Sequence, residues 1–68
     1  MELIHSYIIK LNNKIIASSC DKEFILQLYY NRCDYYENLQ KENKLDKEYE
    51  LILFDLDKNC EIEKANFY

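Results

Sequence analysis

Glycine, proline and tryptophan are absent from this 68-residue chain, and histidine occurs once. Phosphate-cradling loops rely on glycine because the backbone must approach the anion without a Cβ in the way. Their absence, together with that of any Gly-x-Ser-x-Gly elbow, removes the usual starting points for nucleotide chemistry and serine hydrolysis. A cysteine hydrolase needs a base beside its thiol, and nothing in the sequence places His5 there. No apolar run approaches the roughly 20 residues needed to span a bilayer. Basic charge is also scarce: nine Lys and Arg stand against 13 Asp and Glu, for a net charge of −4. Nucleic-acid binders concentrate Lys and Arg on one surface, so direct DNA or RNA binding is not expected, nor is a membrane partner.

What is present is apolar and aromatic, with seven tyrosines. A chain of this length forms one domain, 1–68, and buries only about 60% of the surface its unfolded form exposes, so its stability is thin. The three cysteines are odd in number and lack the close pairs of small secreted scaffolds, and the first residues carry no basic stretch followed by a long apolar run. A reduced, cytoplasmic protein is expected. Charge is uneven along the chain: residues 1–34 hold four acids and four bases, residues 35–68 nine acids and five lysines.

Alternation of β-branched and aromatic residues from Glu2 to Leu11 predicts a strand. Asn12-Asn13 then supplies a two-residue hairpin loop, because Asn tolerates positive φ better than most residues. The second strand runs from Lys14 to Ser18, pairing Ile9 with Ile16 and Ile8 with Ala17. Short polar residues from Ser18 to Asp21 start a helix that extends from about Asp21 to about Lys41, with Asn43 as its terminal cap. Tyr49–Leu56 and Cys60–Phe67 are the third and fourth strands, joined by Asp57, Lys58 and Asn59. The fold class is α+β: a two-layer ββαββ sandwich whose antiparallel-rich sheet has order 2-1-3-4. A right-handed crossover through the helix places strand one between strands two and three.

Apolar residues cover an arc of about 200° on the helix, more than a flat sheet can hide. Phe24, Leu28, Tyr35 and Leu39 are read as the core stripe. That choice leaves Leu26, Tyr29, Tyr30, Cys33 and Tyr36 toward a flank, where tyrosines can anchor a partner. Arg32, inside the arc, is read as a stem along Tyr29 and Tyr36 with its charge at the rim, held by a ring or an acid. On the sheet, Ile4, Ile8, Ile15 and Ala17 are assigned to the helix side, and Tyr7, Ile9, Leu11 and Ile16 to the opposite side. The opposite side would be an unusually large apolar patch, which points to a homodimer.

His5, Cys20, Cys33 and Cys60 form a Cys₃His inventory that suits zinc. Cys20 and Cys33 are separated by a helix of about 20 Å, so one ion cannot bind both. A partial site using His5 and Cys60 remains the metal candidate, and otherwise no cofactor is expected. Asp55, Asp57, Glu61 and Glu63 gather around the last hairpin turn and suit a basic groove on a protein partner.

In its single domain, acidic patches, AT-rich residue usage and lack of catalytic equipment, the chain resembles the small acidic phage proteins that block bacterial defence, anti-CRISPR proteins among them. The resemblance lies in general character and implies a non-enzymatic viral inhibitor acting in the bacterial cytoplasm by blocking an RNA-guided nuclease. The partner-binding residues read from the sequence are Tyr29, Tyr30, Tyr36 and the four hairpin acids. The alternatives are a self-associating structural or adaptor protein and a small zinc protein.

Overall fold

A two-residue turn sets the first half of the fold. In the computed structural model, which describes residues 6–68, β1 (Tyr7–Leu11) and β2 (Lys14–Ser19) form an antiparallel hairpin. Asn12 and Asn13 join them with φ of 49° and 71°. Two successive positive φ values define the type I′ turn, whose twist matches that of the flanking strands. The proposed first-strand residues Glu2–His5 lie outside the described residues.

The register departs from simple alternation after two pairs. Leu11 faces Lys14 and Lys10 faces Ile15, but a bulge then places Ile9 opposite Ala17 and Ile8 opposite Ser18. The expected Ile9–Ile16 and Ile8–Ala17 pairs are replaced because Ile16 is the extra residue of the bulge. Ile16 and Ala17 consequently both reach the helix side of the strand, where they line one groove.

Helix α1 (Lys22–Lys41) begins where Asp21 Oδ1 accepts the Phe24 N–H at 3.2 Å. Its end is a Schellman turn: the Lys44 N–H donates to the Leu39 carbonyl at 2.8 Å and the Asn43 N–H to Gln40 at 3.1 Å. Asn43 has φ 60°, a conformation usually left to glycine. A connection then leads to β3 (Tyr49–Asp55), and a turn containing Asn59 at φ 53° leads to β4 (Cys60–Phe67). The sheet has order β2-β1-β3-β4, with every neighbouring pair antiparallel. The described residues form an α+β sandwich of one helix and four strands.

The helix-facing layer contains Ile9, Leu51, Leu53 and Phe67, packed against Ile25, Tyr29 and Tyr36 of α1. Burial of each aliphatic side chain contributes about 1.5–3 kcal/mol relative to its exposed state. Ile9 is therefore the helix-facing residue of β1, and Ile8 points to the open face. The sequence alternates apolar residues on both sides of β1, so the pattern alone does not choose between them. The helix is likewise turned by roughly a quarter turn from the expected stripe. Ile25, Tyr29 and Tyr36 form its centre, whereas Phe24 and Tyr35 are 55% and 54% exposed.

One hydrogen bond and one ring stack tie the layers together. The Tyr29 hydroxyl donates to the buried Leu51 carbonyl at 3.0 Å, and Tyr36 stacks on Tyr49 with ring centroids 4.7 Å apart. At the end of the sheet, Asn12 uses its side chain as an extra peptide group. Its Oδ1 accepts the Glu50 N–H at 2.8 Å and its Nδ2 donates to the Glu48 carbonyl at 3.2 Å.

The open face is less naked than its sequence indicates. Ile8 and Ile52 are buried, and long charged side chains lie over their neighbourhood. Lys10 Nζ sits 5.2 Å from the Phe54 ring centroid. Lys64, opposite Ile52 on β4, reaches Glu50 at 3.5 Å. Such stems shield apolar surface while their charges stay in water.

Candidate interaction surface

The two long flanks of α1 differ in character. On the β4 side, two successive helical turns bring Tyr30, Cys33, Asp34 and Glu37 onto one face, since residues three and four apart are neighbours there. Tyr30 is 47% exposed and meets Tyr29 edge to face at 5.8 Å. Glu63 approaches from β4, where it pairs with Leu53. The Cys33 thiol is pushed above its ordinary pKa, first by burial and then by the carboxylates of Asp34, Glu63 and Glu37, while its contact with Tyr29 opposes the shift. Tyr29 is also raised, principally by burial, with Cys33 and Glu63 adding to it. Lys41 lies 3.2 Å from Glu37 and offsets part of this negative field.

On the β2 side lies an apolar groove of about 390 Å³, lined by Ile9, Ile16, Ala17, Leu28, Arg32 and Tyr35, with Asn31 at its wall. None of these residues is acidic. Arg32 is exposed, and among the described residues the ion pairs involve lysines and the cation–π contacts involve Lys10 and Lys47. The expected ring or acid partner of Arg32 is thus not found among the described residues. Arg32 lines the groove with Leu28 and Tyr35 because the helix is rotated from the predicted orientation.

The expected site residues are distributed among several environments. Tyr29 and Tyr36 are 2% and 7% exposed and belong to the core, so of the three tyrosines only Tyr30 offers a surface. Asp55 is 6% exposed, with Oδ1 accepting the Lys58 N–H at 3.1 Å, and works as a turn cap. Asp57 lies in the exposed turn. Glu61 faces Phe54 on the open side, while Glu63 faces Leu53 on the helix side. A bulge between these pairs makes Ile62 the extra residue and directs it to the core. The four hairpin acids therefore do not form one patch, and Glu63 joins Asp34 and Glu37 instead.

His5 lies outside the described residues. Cys60 is exposed, and Cys20, Cys33 and Cys60 are all free thiols. Among the described residues no group of three His, Cys, Asp or Glu is placed to hold a metal ion. A zinc site using Cys60 would need His5 and other donors. No described helix is long and apolar enough to cross a membrane.

Near the β3 entrance, Tyr49 donates its hydroxyl to Asp46 Oδ1 at 2.6 Å. That bond raises Tyr49 to a pKa of about 12 and holds Asp46 below the usual carboxylate range. Both effects follow from favouring the protonated phenol beside an ionised carboxylate. The Asn12 end of the sheet forms a second groove of about 380 Å³ with Glu48, Glu50 and Tyr68 among its walls. Its polar groups already serve the Asn12 linkage.

The β2 groove was not legible as a site because it depends on an unpredicted bulge and on the rotation of α1. Its one sequence signal was an arginine within an apolar arc. In comparisons with protein-family models, curated proteins and solved structures, nothing matched this chain.

Proposed function

We propose that this chain is a small non-enzymatic inhibitor that binds a larger nucleic-acid-processing protein, with an RNA-guided nuclease as the target class. The observation that carries this reading is the convergence of Asp34, Glu37 and Glu63 from helix and sheet around one thiol. With the exposed Tyr30 beside them, they provide negative charge and an aromatic anchor on the same flank. A basic groove that ordinarily tracks a nucleic-acid backbone is the complementary surface. Charges of this kind steer encounter and fix orientation, while the aromatic contact slows dissociation.

Association with a purified RNA-guided nuclease, followed at about 50 and about 300 mM salt, tests this reading through ionic screening. The wild-type on-rate falls with salt. A Asp34→Asn, Glu37→Gln, Glu63→Gln variant retains the fold but associates more slowly and loses that dependence. Tyr30→Ala accelerates dissociation with a smaller effect on association. Equal rates for the acidic variant and wild type at both salt concentrations would remove the acidic flank from the mechanism.

A further inference from the structure

The β2 edge combines three features that the acidic flank does not use. Among the described residues its backbone has a partner strand on one side only, since β2 ends the sheet. Its bulge turns Ile16 and Ala17 toward the same groove, alongside Leu28 and Tyr35. Arg32 supplies a cation at that groove, and among the described residues no lining residue is acidic. The Asn31 amide oxygen is held by Gln27 at 3.2 Å, which leaves its N–H₂ group as a second donor on the wall.

We infer that this groove binds an extended acidic segment of a protein partner. The segment adds as a strand to residues 14–17 of β2, seats an aliphatic side chain between Ile16 and Leu28, and sets a carboxylate on Arg32. Strand addition gives affinity through main-chain hydrogen bonds, and alternate side chains give selectivity. The bidentate geometry of guanidinium and carboxylate fixes the segment's register.

Charge complementarity selects this occupant over a second copy. A two-fold β2–β2 pairing is self-complementary and brings each copy's Lys14 and Arg32 to the same interface. Residues 14–19 hold no acid, and among the described residues the groove lining holds none to neutralise them. An incoming carboxylate supplies the missing charge. The edge bulge also restricts long, flat strand pairing while leaving room for a short segment.

Fluorescence anisotropy with labelled (Val-Glu)₄ provides the test, with (Val-Lys)₄ and (Ser-Glu)₄ as comparison peptides. The acidic aliphatic peptide binds best, and backbone amide shifts concentrate in residues 14–17 and around Arg32. Arg32→Gln weakens binding about tenfold, because a hydrogen bond to a charged group is lost at an exposed position. Ile16→Ser weakens it as well, with unchanged circular dichroism for both variants. Peptides N-methylated at alternate residues separate main-chain pairing from simple charge attraction. One methylation phase abolishes binding, and the other is tolerated.

Equal binding of (Val-Lys)₄, tolerance of both methylation phases, or shifts confined to β4 would overturn the inference. Competition by single-stranded oligothymidine with the same shifts would assign the groove to nucleic acid instead. Concentration-dependent dimerisation producing those shifts without peptide would assign it to another copy. The acidic-flank variant binds the peptide like wild type, so failure here and failure of the inhibitor reading are separable.

Discussion

Tyr29 shows how a residue can look like an interface anchor in sequence and serve the core in structure. Its ring is buried, and its hydroxyl satisfies the Leu51 carbonyl. Tyr29→Phe should lower stability by about 1 kcal/mol, as a buried hydrogen bond to the Leu51 carbonyl is lost. Tyr30→Phe should change it by less than about 0.5 kcal/mol, the range for ordinary surface replacements. Urea denaturation of the two variants distinguishes these roles. Alkali offers another check: Tyr29 and Tyr49 are both raised in the folded chain. A raised phenol contributes stability in full below its unfolded pKa, about 10, and that contribution is lost as pH rises through the folded value. The urea midpoint should therefore fall between pH 10 and about 12, where Tyr49 titrates, and Tyr49→Phe should blunt part of the decline. Asp46 has the opposite dependence. Its lowered pKa adds stability above about pH 4 that is lost on acidification.

At the level of elements, asparagine performs the turns of a chain without glycine. Asn12, Asn13, Asn43 and Asn59 all have positive φ, but only Asn12 also stitches β3 to the first hairpin through its side chain. Asn43→Gly should be neutral or stabilising by a few tenths of a kcal/mol, since the αL cap keeps its backbone without a Cβ penalty. Asn12→Gly should cost about 1–2 kcal/mol through lost hydrogen bonds, despite retaining the turn conformation. Thermal unfolding of the two variants measures the difference. The turns, strand order and helix ends were readable because Asn pairs, capping residues and apolar runs act locally. Side-chain faces were harder to read, because β1 and α1 are apolar on two sides and their orientation depends on mutual packing. The β2 bulge replaced the Ile9–Ile16 pair with Ile9–Ala17 and created the groove. No local residue pattern specified that insertion.

Across the whole molecule, charged stems moderate an open face whose composition would otherwise favour association. Lys10→Ser with Lys64→Ser should increase hydrophobic-dye binding and concentration-dependent light scattering while changing monomer stability by less than about 1 kcal/mol, because exposed ion pairs contribute little. Unchanged dye binding would show that the lysine stems do not shield Ile52 and Phe54. With that face shielded, the dimerisation expected from the sequence would have to use a strand edge or helix flank. The central β1–β3 pairing also has a kinetic consequence. Leu11 meets Leu51 across that seam, whereas each outer strand joins its neighbour through a short hairpin turn. Closing a loop of about 40 residues costs more chain entropy than either turn, so two local hairpins can nucleate separately before the helix and central strands dock. Ile9→Val, at the residue facing Leu53 across the seam, should consequently slow refolding, making the middle of the sheet its final point of commitment.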